Sequence, residues 1–375
     1  MDLRYCVPCL FGLEGLAADE LRRLGMNGVS AENGRVYFSG TEEAAATANL
    51  CLRTGERVLI ELGSFRAESF EQLFEGTRAL PWERFLPKDG AFPVTGHSLN
   101  SKLASIPDCQ RIIKKAVVER MKSRYRLEHF PESGAEYKIR FSIRKDLAPV
   151  FLDTSGTALH KRGYRPAHNA APLRETLAAA MVQLARYRGR GDFAAPFCGS
   201  GTIPIEAALI AKNRAPGLNR SFAAMDWRTL DSAIWTCAKE AAIAREFHGD
   251  YAILGTDNDP KAVAIARKNA ERAGVTDCVR FEVADARDFA LQTERGVLVT
   301  NPPYGERILE KQEAEALYAA FGRALARVPG WQLFLLSSHA DFERFFGKKA
   351  DKKRKLYNGM IKCDLYMYTD RERDK

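Results

Sequence analysis

Residues 296–304 read Gly-Val-Leu-Val-Thr-Asn-Pro-Pro-Tyr. The first five form a short apolar run with the β-branched content of a buried strand. The polar residues that follow therefore lie at the carboxyl end of a strand, where open α/β sheets bind their ligands. A primary amine could be held there by the side-chain oxygen of Asn301 and by the carbonyl of Pro302, whose direction the ring of Pro303 restricts. Tyr304 could offer a π face to a flat heterocycle. The alternative is a simple turn after a strand.

The chain around this segment alternates between strand-like and helix-like stretches, a pattern typical of a parallel α/β sheet. The composition of the segments predicts helices over about 203–212 and 261–273. Each of the first four predicted strands is followed by residues suited to a nucleoside-like ligand. The predicted strands cover residues 193–198, 251–256, 278–283, 296–300 and 331–338.

The strand ends favour one class of cofactor. Gly199 and Gly201 let the backbone approach a ligand closely, and the N–H groups of the following helix can receive a carboxylate. Asp257 can accept both hydroxyls of a ribose. Asp285 could accept from the exocyclic amine of an adenine, with the next backbone N–H as a donor to its ring. A dinucleotide fingerprint would need a third glycine where Pro204 stands, and a Gly-Lys-Ser/Thr phosphate loop is missing. The pattern suits S-adenosylmethionine better than NAD or ATP.

Composition sets the broad class. A chain of 375 residues that is 46% hydrophobic and 28% charged can bury a large core and is expected to hold two or three domains. Its first residues lack the pattern of a signal peptide, and no apolar run approaches the length of a membrane span. Cys6 and Cys9 have Cys-x-x-Cys spacing without a second pair nearby, so we expect no metal. The protein is expected to be soluble and cytoplasmic.

The net charge of +9 is unevenly distributed along the chain. Residues 102–165 carry a net charge of +8 and residues 344–375 carry +6, so the rest of the chain is nearly neutral or acidic. This distribution is expected if the centre performs chemistry and the two basic blocks bind a polyanion. The alternative is a generic solvated surface.

The first basic block has a helical geometry over residues 108–126. At about 100° per residue, four cations fall within a sector of roughly 60°, and three apolar residues lie on the far side and would face a core. A wall of cations on a packed helix can follow a phosphate backbone without reading bases. The cations are Arg111, Lys115, Lys122 and Arg126, and the apolar residues are Ile113, Val117 and Met121.

The second basic block is predicted to be a solvated loop, because residues 348–355 hold six cations among eight residues. Asn358 and Gly359 are a strong turn signal. Residues 360–368 have the composition of a strand. We therefore expect a basic hairpin tip near the end of the sheet.

These segments together resemble known families. Residues 193–304 resemble a class I S-adenosylmethionine-dependent methyltransferase of the amino-methylating kind. The motifs Ser101-Lys102-Leu103, Cys109-Gln110 and Lys114-Lys115-Ala116 resemble the THUMP domain, an RNA-binding module. Further motifs are similar to the bacterial THUMP-containing rRNA guanine-N2 methyltransferases of the large ribosomal subunit, and this resemblance covers nearly the whole chain. They are Phe11-Gly12-Leu13-Glu14, Leu159 to Arg165, Ala171 to Ala178, and Lys355-Leu356-Tyr357-Asn358-Gly359.

The resemblance implies an α/β fold with a Rossmann-like, seven-stranded class I methyltransferase sheet whose last strand is reversed. An α+β ferredoxin-like and THUMP region would precede it, with domains at 1–62, 63–158 and 159–375. The implied reaction is methyl transfer from S-adenosylmethionine to the exocyclic N2 amine of a guanosine, in 23S rRNA. The implied partner is RNA, and we expect a monomer or weak dimer without metal or membrane.

Carried over to this chain, the family assigns three groups of residues. Asn301, Pro302 and Tyr304 would be catalytic. Cofactor binding is expected of Cys198, Gly199, Ser200, Gly201, Thr202, Asp257, Asn258, Asp285, Ala286 and Asn301. RNA binding is expected of Lys102, Arg111, Lys115, Lys122, Arg126, Arg162 and Arg165.

One position departs from the family pattern. An acidic residue usually precedes the Pro-x-Cys-Gly-Ser-Gly run and helps to organise the methionine ammonium, whereas this chain has Ala195. We therefore expect weaker cofactor binding. Three alternatives stay open at this point: methylation of adenine N6 in nucleic acid, methylation of a glutamine amide in a translation release factor, and an RNA-binding assembly factor without turnover.

Overall fold

The structure is a computed structural model that describes residues 2–166, 173–290, 293–304, 311–328 and 330–369. The chain forms two compact units, each with its own seven-stranded sheet. No helix within the described ranges is both long and apolar enough to cross a membrane. The first unit comprises Met1–Cys9, Ala17–Leu159 and Arg220–Ala241, and the second comprises Leu10–Leu16, His160–Asn219 and Ala242–Lys375.

The first unit has an α+β architecture. Its strands are β1 (Leu3–Pro8), β2 (Asn27–Glu32), β3 (Arg35–Gly40), β4 (Leu59–Arg66), β5 (Val94–Leu99), β6 (Ile139–Arg144) and β7 (Leu147–Asp153). Its helices are α1 (Glu14–Arg23), whose first residues belong to the second unit, α2 (Glu42–Cys51), α3 (Phe70–Arg78) and α4 (Ile106–Tyr125). The strand order is β2-β3-β1-β4-β7-β6-β5, and β5 pairs with β6 in parallel while the other neighbours are antiparallel.

The second unit has the doubly wound α/β architecture that the alternating sequence pattern predicts. Its strands are β8 (Asp192–Pro196), β9 (Ile253–Asp257), β10 (Val279–Val283), β11 (Gly296–Thr300), β12 (Trp331–Ser337), β13 (Lys352–Asn358) and β14 (Ile361–Tyr368). The helices are α5 (Glu175–Leu184), α6 (Thr202–Ala211), α7 (Ala233–Ala244), which begins in the first unit, α8 (Pro260–Ala273), α9 (Lys311–Leu325) and α10 (Phe342–Phe346). Short 3₁₀ turns cover Trp82–Arg84, Ala223–Asp226 and Ala286–Asp288.

The second sheet has the order β10-β9-β8-β11-β12-β14-β13. Its first five strands are parallel, and β14 runs antiparallel to β12 and β13. The predicted fold class, with a reversed last strand, is confirmed. Because the central strand β8 is covered on both faces, its residues after Asp192 are buried and apolar without alternation. Ala195 packs with one core cluster and Ala194 with the other.

The basic stretch near the end of the chain differs from its prediction. Residues 352–358 form the edge strand β13, so the predicted solvated loop is wrong for this part of the block. The strand pairs with β14 over its full length and buries Leu356, while Lys352, Lys353 and Lys355 stay exposed. Exposed lysines are compatible with an edge strand, since they hinder edge-to-edge association. The predicted turn is confirmed, with Gly359 at φ +65°.

Helix α4 follows its prediction closely. Ser105 caps the first turn by accepting from the N–H of Asp108, and Arg126 ends the helix in a left-handed conformation. The three apolar residues that were expected to face a core are fully buried. They are Ile113, Val117 and Met121.

Candidate active site

The predicted catalytic and cofactor-binding residues lie at one edge of the second sheet. The loop of residues 197–201 follows β8, Asp257 ends β9, Asp285 follows β10, and Asn301 follows β11. These four strands are neighbours in the sheet and parallel, so their carboxyl ends share one edge. The sheet therefore places the residues that were predicted from the sequence close to one another.

The loop after β8 is shaped for close approach of a ligand. Gly201 has φ +85° and caps α6 without a side-chain hydrogen bond, which leaves N–H groups of the first turn to a ligand. A Cβ on Gly201 would lie 2.9 Å from Ala266 Cβ and 3.0 Å from Phe281 Cζ, so this position is packed from behind. A Cβ on Gly199, at φ +53°, would meet nothing within 4 Å. The open space lies in front of Gly199.

Further contacts fix this loop in place. The N–H of Cys198 donates to the carbonyl of Thr256 at 2.9 Å, and burial raises the pKa of the Cys198 thiol. The Ser200 carbonyl accepts from Asn269 Nδ2 at 2.9 Å, and both residues are buried. Thr202 begins α6 and is also buried. These hydrogen bonds attach the loop to β9 and α8.

Asp257 joins the two neighbouring loops. Its Oδ2 accepts from the N–H of Gly199 at 2.8 Å, and its Oδ1 accepts from the N–H of Asp259 at 3.1 Å. Each oxygen keeps a further lone pair, so the oriented, half-buried carboxylate can still accept two hydroxyls. Asn258 is exposed beside it. The open cradle at Gly199, the free helix terminus and this carboxylate fit the methionine and ribose ends of S-adenosylmethionine.

Asp285 is already paired in this conformation. Arg287 donates from Nε to both carboxylate oxygens at 3.0 and 2.9 Å, and its backbone N–H donates to Oδ1 at 2.8 Å. The hydrogen bonds from Arg287 lower the pKa of Asp285. Ala286, the other residue assigned to the adenine, is buried. An adenine amine would have to share Asp285 with Arg287 or displace Arg287 from it. The sequence did not reveal this competition between Arg287 and the adenine.

Asn301 is held by a neighbour within its own motif. The Tyr304 hydroxyl donates to Asn301 Oδ1, and the Cys363 thiol lies 3.8 Å from that hydroxyl. The ring of Tyr304 packs against the core that contains β8 and α6, and burial raises its pKa well above the ordinary value. Tyr318 donates to the carbonyl of Pro303 at 2.5 Å. In this conformation Tyr304 orients the Asn301 amide through its hydroxyl.

A buried ion pair supports the start of α6. Arg165 donates from Nη1 to the carbonyl of Leu173 at 2.8 Å and to Thr202 Oγ1 at 2.6 Å. Its Nη2 lies 3.0 Å from Glu175 Oε2, and the two side chains are 8% and 3% exposed. Burial raises the pKa of Glu175. Arg165 therefore connects α5 to the first residue after the glycine loop.

The predicted phosphate contacts of Arg162 and Arg165 are wrong. Arg162 is 2% exposed, and its Nε lies 3.4 Å from Oε1 of the fully buried Glu206, which also accepts from the Tyr164 hydroxyl at 3.0 Å. Both guanidinium groups are enclosed with carboxylates inside the second unit, so RNA phosphates cannot reach them. Sequence reasoning missed Glu175 and Glu206 as their partners, because the pairing is made by tertiary structure.

The remaining cations assigned to RNA lie on the surface of the first unit. Lys102, Arg111, Lys115 and Arg126 are exposed, whereas Lys122 is half-buried between Glu119 and Glu128. Lys102 pairs with Glu68, and Arg111 pairs with Asp108. A cavity of about 490 Å³ lies between α4 and β5. It is lined by Pro93, Val94, Gln110, Arg111, Lys114 and Lys115.

The strand order of the second sheet and the residues at its carboxyl edge define a class I methyltransferase. Comparison with known families agrees. Residues 162–367 match the RMKL-like methyltransferase domain, residues 4–59 the RlmL ferredoxin-like domain and residues 67–153 the THUMP domain. The chain belongs to the RMKL-like methyltransferase family, which confirms the predicted resemblance.

Two groups of curated proteins are similar to this chain. "Putative RNA methyltransferase YpsC" of Bacillus subtilis is 46% identical, over 96% of this chain and 94% of its own length. Proteins named ribosomal RNA large subunit methyltransferase K/L also match, among them that of Syntrophotalea carbinolica, which is 37% identical over 94% of this chain. The chain spans about half the length of these K/L relatives, 52% in that case.

Solved structures have the same fold over nearly the whole chain. SMU.472, crystallised as a complex with SAH, is 42% identical with a TM-score of 0.93, and the match covers 98% of both chains. A Listeria monocytogenes protein described as a predicted N6-adenine-specific DNA methylase is 44% identical with a TM-score of 0.94, covering 98% of this chain and 96% of its own. Family membership and the SAH complex confirm the predicted cofactor class.

Proposed function

We propose that this chain transfers a methyl group to the exocyclic N2 amine of a guanosine in large-subunit rRNA. The observation that carries the proposal is that Asn301 and Pro302 directly follow β11, while the open cradle of Gly199 follows the neighbouring parallel strand β8 at the same edge of the sheet. Two acceptors at that place can hold both hydrogens of a flat amine. The THUMP match and the names of the K/L relatives support RNA as the acceptor.

The residues of the chain would divide the work as follows. Gly199, Gly201 and Asp257 would hold the methionine and ribose ends of S-adenosylmethionine, and Asp285 its adenine. When bound, this cofactor supplies an electrophilic methyl group. Asn301 and the Pro302 carbonyl would orient the target amine and favour its pyramidal form. The rate then depends mainly on positioning and electrostatics, and the product proton can leave to water.

Tyr304 would serve the site in two ways. Its hydroxyl would keep Asn301 Oδ1 pointed at the amine, since an amide oxygen accepts two hydrogen bonds. Stacking of the ring on an extruded base stays a proposal, because a paired base must be flipped out of its helix before it reaches such a site. The predicted domain limits of 1–62, 63–158 and 159–375 likewise stay a proposal.

The test replaces Asn301. We expect Asn301→Ala to leave S-adenosylmethionine affinity nearly unchanged and to lower turnover about 10²-fold, the scale of one positioned polar group. Asn301→Asp retains an acceptor and should lose less. Asn219→Ala is the matched control, because Asn219 is exposed and donates to the Arg272 carbonyl in the same unit.

The assay measures transfer of labelled methyl groups to rRNA from a strain that lacks the gene, followed by nuclease digestion and mass analysis. N2-methylguanosine supports the proposal, whereas N6-methyladenosine would assign the site to the other amine that it can hold. Wild-type turnover in Asn301→Ala would remove Asn301 from the mechanism. Binding of S-adenosylmethionine without transfer to any RNA would favour an assembly factor.

A further inference from the structure

The turn at residues 10–13 exposes the aromatic ring of Phe11 to solvent. Phe11 is 57% exposed, although it sits between residues that are firmly anchored. Leu13 is fully buried and its N–H donates to the Leu10 carbonyl at 3.0 Å, while the Gly12 N–H donates to Glu14 at 2.9 Å. The exposure of Phe11 is therefore imposed by a fixed backbone.

This turn is attached to the edge strand β13. Arg354 donates from Nη2 to the Gly12 carbonyl. Gly12 has φ +88°, and a Cβ there would lie 3.2 Å from the Lys355 carbonyl, so a side chain would disturb the attachment. The rings of Phe11 and Tyr357 meet edge to face, with centroids 6.2 Å apart and planes at 77°. The two aromatic residues form one surface feature.

Cations flank this aromatic pair. Lys355 lies two residues before Tyr357 on β13, and Lys362 is directly opposite Tyr357 on β14, so all three share one face of the hairpin. Both lysines are exposed. An aromatic pair beside cations is the arrangement with which proteins bind single-stranded nucleic acid, by stacking on bases and attracting phosphates.

The feature lies at the same sheet edge as the candidate active site. Strand β14 begins there because it runs antiparallel to β12, so the hairpin tip between Asn358 and Ile361 lies at the carboxyl edge of the parallel strands. Cys363, near the start of β14, approaches the hydroxyl of Tyr304 at 3.8 Å. A nucleotide chain whose target base enters the site would pass this hairpin.

We propose that Phe11 and Tyr357, with Lys355 and Lys362, form a stacking platform for the unpaired nucleotides that flank the methylated residue. The inference rests on the proposed function and adds that the acceptor RNA is single-stranded on either side of the methylated nucleotide. Bases within a duplex are already stacked on their neighbours, so duplex RNA would offer this surface its phosphates and no base faces.

The test removes the ring of Phe11. Phe11→Leu should raise KM for rRNA about tenfold, the size of a single base-stacking contact, and leave KM for S-adenosylmethionine and the melting temperature unchanged. Phe11→Trp, which retains a ring, should stay close to wild type. Phe247→Leu is the matched control: Phe247 is also 57% exposed but contacts the end of α6, at the opposite edge of the sheet.

A binding experiment separates this inference from the proposed function. Fluorescence anisotropy of the full chain with a labelled, unstructured RNA 12-mer should show about tenfold weaker binding for Phe11→Leu, and binding of a matched duplex should not change. The inference is overturned if the single strand binds both proteins equally or if Phe247→Leu has the same effect. If wild type binds the strand but methylates no RNA, the proposed function fails and the platform stands.

Discussion

Removing Arg165 should destabilise the protein in a pH-dependent manner. Its guanidinium is 8% exposed, it faces a Glu175 side chain that is 3% exposed, and it donates to the Leu173 carbonyl and to Thr202. Arg165→Met keeps the length of the side chain but removes the cation that lies 3.0 Å from Glu175 Oε2. Breaking a buried pair in this way costs about 3–5 kcal/mol.

Protonation of Glu175 sets an upper limit on the electrostatic part of this penalty. The ordinary pKa of a glutamate is 4.5. Protonating the Glu175 carboxylate at pH 7.5 therefore costs about 4 kcal/mol, because each pH unit above the ordinary pKa costs about 1.36 kcal/mol. At pH 5.5, one pH unit above the ordinary pKa, the same protonation costs only about 1.4 kcal/mol, so the upper limit on the electrostatic penalty falls to that value. Since the folded variant binds a proton that the unfolded chain releases above its ordinary pKa, stability is lost as pH rises.

Urea denaturation followed by circular dichroism at pH 7.5 and 5.5 measures this difference. We expect a loss of about 4 kcal/mol at the higher pH, a large share of the 5–15 kcal/mol typical of a domain. The double variant Arg165→Met/Glu175→Gln should recover most of it and lose the pH dependence. Arg280→Met, which breaks the exposed pair with Glu282, is the control and should change stability little. A loss below about 1 kcal/mol, or one that does not shrink at pH 5.5, refutes the reasoning.

Three further predictions concern the residues from β8 to the start of α6. Gly201→Ala should cost about 2–4 kcal/mol of folding free energy in urea denaturation, because it combines φ +85° with contacts of 2.9 Å to Ala266 and 3.0 Å to Phe281. Gly199→Ala should cost less folding free energy, because its Cβ meets no atom within 4 Å. It should still weaken SAH binding in calorimetry, because the added methyl group fills the cradle. Equal stability losses in the two variants would contradict this interpretation. Ala195→Asp should tighten S-adenosylmethionine binding about tenfold by supplying a carboxylate for the ammonium. Unchanged affinity in a folded variant would show that the methionine end is organised without it.

The parts of the fold that the sequence predicted well are the buried parallel strands. Both ends of strand β11, Gly296–Thr300, were predicted correctly, because an apolar run between polar loops clearly marks where a strand begins and ends. The strand near Asp257 was displaced by one or two residues, since small and polar residues at its ends carry no such contrast. The grouping of the site residues followed directly, because parallel strands present their carboxyl ends at one edge.

The parts that failed depend on partners distant in sequence. Lysines of residues 352–355 suggested a loop, yet pairing with β14 and burial of Leu356 make a strand. Similarly, Arg162 looks like a phosphate ligand until Glu206, 44 residues later, is seen beside it. The grouping of residues 220–241 with the first unit is also tertiary, since Trp227 stacks on Tyr137 with centroids 4.8 Å apart.

The hydrogen bond between Tyr304 and Asn301 bears on the proposed methyl transfer. A free asparagine amide can rotate, and a target amine that binds it must then restrict that rotation. Here the Tyr304 hydroxyl, which is protonated at physiological pH, donates to one lone pair of Oδ1, and burial raises its pKa further. The second lone pair is left oriented, beside a Pro302 carbonyl whose direction is restricted by Pro303. Under the proposed function, both acceptors are thus oriented before the substrate arrives, which is the preorganisation that direct methyl transfer to a weakly nucleophilic amine would require.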